Sequence, residues 1–127
     1  MKDNRALLVY FEADIEKNRW FIDRLTEKAS ERGIRLDLVT PWQAFDETEA
    51  AFVINRSRDE ELSRYFEGLG IKSFNNSETV RIGNDKLEEY YLFQELGLPV
   101  METVPGDTPE DEIPFSAPYI VKHRRGH

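Results

Sequence analysis

Four short apolar segments constrain the fold of this chain more than any other feature. They occupy residues 6–11, 34–40, 50–55 and 71–75. Each has the length of a strand rather than of a helix, and residues 34–40 alternate apolar and polar side chains. Strands this short are not stable alone or as a single pair, so these segments predict a common sheet.

Two helices are predicted between these strands. Apolar residues recur at helical spacing over residues 14–32, and Gly33 follows as the C-terminal cap. Ser57 and Glu60 have the spacing of a capping box at the start of a second helix. The order β-α-β-β-α-β with short connections predicts an α/β fold, with an open, mostly parallel, Rossmann-like sheet and helices on both faces.

The sequence changes character after residue 75, and we expect two domains, 1–75 and 76–127. The second part alternates helical and strand-like segments around an acidic, proline-rich loop, so it predicts a partial α+β subdomain. Asn84 or Asp85 is expected to cap its main helix. Its predicted elements are helices at 77–83 and 86–97 and strands at 99–104 and 119–122.

Charge and composition limit the partners of the chain. The net charge is −8, from 17 basic and 25 acidic side chains. This balance opposes nonspecific binding to nucleic acid and to anionic membranes, and we expect neither partner. The last six residues, KHRRGH, nevertheless contain three of the basic side chains and no acidic one.

Several kinds of chemistry are absent from the sequence. Without cysteine, the 127 residues provide no disulfide, thiolate zinc site or cysteine nucleophile. Neither G-x-G-x-x-G nor a Walker A motif occurs. Four acids within residues 107–112 are explained most simply as a solvated loop, so no metal site is expected. The lack of cysteine, of an apolar membrane span and of a signal peptide predicts a cytoplasmic protein.

The basic end of the chain has two interpretations on physical grounds. Lys122 ends a predicted strand, and a cationic turn that contains glycine follows it. A lysine and the backbone N–H groups of such a turn suit an anion. A solvated terminus without any ligand accounts for the same residues, so both interpretations stay open.

Five sequence elements in a fixed order link this end to the middle of the chain. They are VINR (53–56), FNNS (74–77), NDKL (84–87), GLPV (97–100) and PYIVK (118–122). Their order and spacing resemble the ATP-grasp superfamily, most closely the carboxylate–amine ligases of the RimK and LysX type. The resemblance implies a pre-ATP-grasp domain over 1–75 and the beginning of an ATP-grasp domain over 76–127.

The resemblance also implies a nucleotide site. Lys86 and Lys122 match two lysines that reach the nucleotide phosphates in the family, and Arg124 and Arg125 add positive charge beside the second. Gly126 matches the glycine-rich loop that folds over the phosphates. ATP and Mg²⁺ are the implied ligands, with the metal ligands outside this chain. The alternative for Lys86 is an ordinary residue in the first turn of a helix.

A substrate site is implied at the carboxyl edge of the sheet, where open α/β sheets bind their ligands. Asn55 and Arg56 end a predicted strand, and the planar fork of an arginine suits a carboxylate. A surface arginine paired with an acid of the next helix is the alternative. Asn76 and Ser77 are expected to bind substrate at the same edge. The alternative is that they form a helix cap or turn, which needs no ligand.

Two functions follow as hypotheses. The first is the N-terminal part of an ATP-dependent ligase that joins a small carboxylate to an amine through an acyl phosphate. We expect such a protein to continue past the given sequence, to form homo-oligomers, and to be inactive as these 127 residues alone. The second is a stand-alone α/β binding or interaction module without catalysis.

Overall fold

The chain is an α/β protein. Its computed structural model describes residues 4–125. The strands are β1 (Arg5–Val9), β2 (Arg35–Val39), β3 (Val53–Asn55) and β4 (Ser73–Phe74). The α-helices are α1 (Glu12–Ile15), α2 (Arg19–Glu31), α3 (Pro41–Ala44), α4 (Glu60–Gly68), α5 (Ser77–Gly83) and α6 (Lys86–Glu95), with short 3₁₀ helices at Glu16–Asn18 and Glu110–Glu112.

The four strands form one parallel sheet in the order β2-β1-β3-β4. In the centre of the sheet, Leu8 pairs with Leu38 on one side and with Ile54 on the other. Strands that succeed one another in a parallel sheet need crossover connections, and the intervening helices provide them. The predicted mostly parallel sheet is thus confirmed, and all of its pairings are parallel.

The core lies on both faces of the sheet. On one face, Ala6 and Leu8 of β1 pack with Ile22 of α2. On the other, Leu7 and Val9 pack with residues of α3 and α4, among them Phe66. Successive side chains of β1 therefore enter opposite halves of the core, as a strand covered on both faces requires.

Several local predictions were wrong. The helix predicted over 14–32 is divided by a 3₁₀ turn, and α3 was not anticipated. Asp59, not Ser57, caps α4, because its carboxylate accepts hydrogen bonds from the backbone N–H groups of Glu61 and Leu62. Asp85, one of the two residues predicted to cap this helix, caps α6 in the same way, so that prediction is confirmed. Residues 99–104 and 119–122 form no strand within the part of the chain described.

The chain divides into two compact units between Val80 and Arg81. The first contains the sheet and α1 to α4, and the second contains α6 and the proline-rich segment. Among residues 4–125, no helix combines the length and apolar character needed to cross a bilayer.

Candidate functional sites

The carboxyl edge of the sheet is the first place where functional groups gather. The chain leaves β1 toward α2 on one face and leaves β3 toward α4 on the opposite face. The loops after these neighbouring strands diverge, which leaves a crevice of the kind where open α/β sheets bind ligands. The N–H of Arg56 donates to the carbonyl of Val9 at 2.9 Å, so the two loops separate directly beyond this bond.

An open cleft of about 670 Å³ lies at this edge. The loops that follow β1, β2 and β3 line it with aromatic, charged and small side chains. Trp42 is its most exposed ring, with 82% of its surface accessible. The lining residues are Phe11, Glu12, Ala13, Asp14, Thr40, Pro41, Trp42 and Arg58.

Asp14 and Arg58 face one another in the cleft. Their carboxylate and guanidinium groups lie 3.4 Å apart, and a second cation, Lys17, lies 3.5 Å from the same carboxylate. Arg58 has a positive φ of 64°, which is uncommon for a residue other than glycine. A strained backbone of this kind is often found at ligand sites. Arg58 follows the predicted Asn55-Arg56 pair by two residues, but its sequence context carried no signal of this geometry.

Asn55, predicted to bind substrate, is buried and bonded within the chain. Its amide nitrogen donates to the carbonyl of Asp59 at 2.9 Å and to the hydroxyl of Ser63 at 2.8 Å. Its oxygen accepts from the N–H of Ser57 at 3.0 Å and from the Ser57 hydroxyl at 2.6 Å. Asn55 therefore shapes the loop between β3 and α4.

Arg56, also predicted to bind substrate, is exposed. Its guanidinium lies over the ring of Phe21, 5.9 Å from the centroid. Within residues 4–125 it makes no ion pair with Asp59 or Glu60, the alternative that the sequence had left open. The side chain thus remains within reach of an incoming carboxylate.

Asn76 and Ser77 begin α5. The Asn76 side chain accepts from the N–H of Thr79 at 2.8 Å. Ser77 donates through its N–H and its hydroxyl to the Glu67 carboxylate, at 2.7 and 2.6 Å. These two bonds lower the pKa of Glu67. Both residues therefore have the capping and turn contacts that need no ligand.

The second gathering of functional groups lies at the start of α6. The backbone N–H of Lys86 donates to the carbonyl of Arg124 at 3.0 Å. This bond joins two segments that are far apart in sequence, each with a lysine predicted to reach a phosphate. Lys122 is exposed two residues before the bond. Gly126 lies outside the described residues.

Asp85 forms the centre of this cluster. Its carboxylate accepts from Nε of Arg124 at 2.8 Å and lies 3.5 Å from Nη2 of Arg125. It also accepts from the N–H groups of Leu87 and Glu88. The Arg124 guanidinium, aided by these N–H groups, lowers the pKa of Asp85 to about 2. Arg124 and Arg125, predicted as phosphate ligands, therefore already have an anion.

The sequence did not mark Asp85 as a functional residue, although it proposed Asp85 as a helix cap. The four acids within 107–112 are exposed. Among the residues that the structure describes, no group of histidine, aspartate and glutamate side chains has the arrangement of a metal site.

Comparison with known proteins adds no relative: no family model and no curated protein matches the chain. The resemblance to ATP-grasp ligases therefore remains a prediction from the five sequence elements. The two gatherings of side chains are the structural basis on which a function is proposed.

Proposed function

We propose that this chain is the N-terminal part of an ATP-dependent carboxylate–amine ligase of the ATP-grasp superfamily. Its sheet unit would be the Rossmann-like pre-ATP-grasp domain. The observation that carries the proposal is the hydrogen bond between Lys86 and Arg124. It joins the NDKL element to Arg124, which lies two residues beyond the PYIVK element, and both elements were selected from the sequence alone.

The hydrogen bond between Lys86 and Arg124 matters for phosphate binding because of the charges near it. A nucleoside triphosphate needs several cations around its phosphates, and preorganised ammonium groups meet that need without rearrangement. Lys86 lies at the first position of α6, and Lys122 precedes the bonded Arg124 by two residues. The backbone contact brings the segments of both lysines together, as a shared phosphate site requires.

In the proposed reaction, bound ATP supplies a phosphoryl group to the substrate carboxylate. An oxygen of the carboxylate attacks the γ-phosphorus, the bond to the β–γ bridging oxygen breaks, and ADP leaves. The amine then attacks the acyl carbon, releases phosphate and loses a proton. Lys86 and Lys122 would hold the phosphates during the first step, and Mg²⁺ held by residues outside this chain would supply further charge neutralisation.

The carboxyl edge of the sheet would contribute to the acceptor site. The exposed Arg56 provides a guanidinium group there for a carboxylate. The acids of the cleft suit an amine, and Trp42 offers an apolar surface. A small amino acid or peptide combines these chemical features.

The test is ADP release by the full product of the gene, measured over a panel of amino acids and short peptides. Substrate-dependent ADP is expected for at least one pair. Lys122→Ala and Lys86→Ala should each reduce kcat/KM by about 100-fold, the usual effect of removing one group that stabilises transition-state charge. Lys28→Ala is the matched control, because Lys28 pairs with Glu31 on the surface of α2. No ADP with any pair, or full activity in Lys122→Ala, would refute the proposal.

The open cleft favours a second candidate, a binding module without catalysis. Its ligand would quench or enhance the fluorescence of Trp42 in the 127-residue chain without nucleotide. Trp42→Phe should abolish that signal, whereas Trp20→Phe, a change at an exposed ring outside the cleft lining, should retain it. A ligand that binds only when ATP is present would support the ligase instead.

A further inference from the structure

Asp85 has an unusual position in the second unit. Of residues 81–125, it is the one that is buried, with 1% of its surface accessible. The apolar residues of this unit, by contrast, are exposed or half-buried. A charged carboxylate is a costly group to bury, and it persists when several partners offset the cost.

Those partners belong to two segments of the chain. The N–H groups of Leu87 and Glu88 come from the first turn of α6, and the guanidinium groups come from Arg124 and Arg125. A hydrogen bond from the Lys86 N–H to the Arg124 carbonyl joins the same two segments through their backbones. One carboxylate thus fixes a basic segment, 122–125, against the start of a helix.

We propose that Asp85 is a positioning residue for the phosphate site, and that Arg124 and Arg125 act through Asp85 rather than on a phosphate. This inference rests on the proposed function. It assigns the phosphate contacts to Lys86 and Lys122, and it changes the role that the sequence had suggested for the two arginines.

The geometry favours this division of roles. Arg124 donates from Nε to Asp85, and its Nη2 lies 3.9 Å from a carboxylate oxygen of Glu88. A phosphate that approached this guanidinium would meet two carboxylates, which oppose its charge. If a phosphate drew the arginines away, the buried carboxylate of Asp85 would lose its counter-charge. The ion pairs of Arg124 and Arg125 with Asp85 are therefore favoured over contacts with a phosphate.

Two substitutions separate the ion pairs of Asp85 from its capping role. Asparagine caps helices about as well as aspartate but carries no charge, whereas alanine removes both functions. In the full gene product, Asp85→Asn should increase hydrogen exchange of the Lys86 amide, which donates to the Arg124 carbonyl, by about tenfold, while the amides of residues 87–89 change little. Asp85→Ala should increase exchange at both places. Asp107→Asn, the same change at an exposed acid of this unit, should alter neither.

The affinity for nucleotide then tests whether Asp85 positions the phosphate site. Calorimetry with MgATP should show about tenfold weaker binding for Asp85→Asn and for Arg124→Ala, and the double variant should be no weaker than either, because residues that act as one unit are non-additive. Arg124→Lys keeps a cation beside Asp85 and should recover most of the affinity. A role in stability alone would not restore affinity in this way.

The outcomes distinguish this inference from the proposed function. Additive losses in the double variant, or unchanged or tighter ATP binding by Asp85→Asn, would show that Arg124 contacts phosphate directly. Unchanged exchange of the Lys86 amide in Asp85→Asn would also overturn the inference. Absence of ATP binding by the wild-type protein would instead refute the proposed function, and exchange would still report whether Asp85 holds the segment.

Discussion

Individual polar residues hold the loops at the carboxyl edge of the sheet. Asn55, Ser57, Ser63 and Ser73 are buried, and their side chains hydrogen-bond to one another or to nearby backbone. The network joins β3, β4 and α4. Since a buried polar group without a partner is costly, each member depends on the others.

Replacing Asn55 should therefore affect stability as well as any ligand. Asn55→Ala leaves the Ser57 and Ser63 hydroxyls without this partner, and we expect it to lower the free energy of unfolding by about 2 kcal/mol. Asn55→Asp should cost more, because it places a charge where an amide had donated two bonds. Urea denaturation measures both changes. Gln94→Ala, at an exposed amide side chain of α6, is the control, and a neutral Asn55→Ala would contradict the network.

The ion pairs of a second single residue, Arg5, contribute to the stability of the fold in a pH-dependent way. Its guanidinium binds both oxygens of Glu47, at 2.7 and 2.8 Å, and Asp37 at 2.7 Å. The bidentate bond lowers the pKa of Glu47 from its ordinary value of 4.5. A carboxylate with a lowered pKa stabilises the fold fully above its ordinary pKa, and this contribution disappears as the pH falls below it.

Glu47→Gln should accordingly be less stable than wild type by about 1 kcal/mol at pH 7. The difference should shrink as the pH falls below 4.5, the ordinary value for this group, because Glu47 of the unfolded chain takes up a proton there before folded Glu47, whose pKa is lowered. Thermal unfolding of the two proteins from pH 7 to pH 3 measures the effect. A difference that is constant over this range would show that the ion pair does not contribute.

The secondary-structure elements differ in how deeply they are buried. β1 is central in the sheet, and four of its five residues are buried. α6 is comparable in length to α4 but has no buried residue, and capping by Asp85 is its clearest stabilising contact. Since helical stability comes mainly from packing of an apolar face, α6 should open more readily than α4.

Hydrogen exchange tests this difference between elements. The amides of Leu7 and Leu8 should exchange at least 100-fold more slowly than those in the middle of α6, because opening the central strand requires nearly global unfolding. The amides of Leu62 to Phe66 in α4 serve as the helical control and should also be slow. Equal protection of α4 and α6 would contradict the expectation.

At the scale of the whole molecule, the two units differ in their cores. The first has apolar clusters on both faces of its sheet. The second exposes several large apolar side chains, and such surfaces favour association with other protein. Its exposed apolar residues include Leu96, Leu98, Met101, Tyr119, Ile120 and Val121.

The first unit should fold by itself. A chain of residues 1–80 keeps all four strands and both apolar clusters, so we expect it to unfold cooperatively with urea. Circular dichroism and fluorescence should give the same transition midpoint. Leu8→Ala is the negative control, because truncating this buried side chain should cost about 3 kcal/mol. A gradual transition in the 1–80 chain would show that the second unit is needed.

The exposed apolar residues should also make the 127-residue chain self-associate. Light scattering is expected to show a mass that increases with concentration for the whole chain but not for residues 1–80. Ile120→Lys combined with Val121→Lys should reduce the association, whereas Trp20→Lys, at an exposed ring of the first unit, should not. A strict monomer at every concentration would contradict the self-association expected from these exposed residues.

The sequence by itself determined the sheet unit. Alternating apolar runs and amphipathic segments depend on local periodicity, so β1 to β4, α2 and α4 were placed close to their observed positions. The predicted strands at 99–104 and 119–122 were wrong, because an apolar run becomes a strand through a hydrogen-bonding neighbour that local pattern does not specify. α3 was missed since one turn of helix has little periodicity.

Tertiary structure alone decided the partners of the candidate residues. The sequence singled out Asn55, Arg124 and Arg125 by residue type, but their contacts with Ser63 and Asp85 depend on how distant segments meet. It also gave no indication that Asp14 and Arg58 would share a cleft. Residue type sets which bonds a side chain is able to make, whereas the fold decides which partners come within bonding distance and whether water is excluded from them.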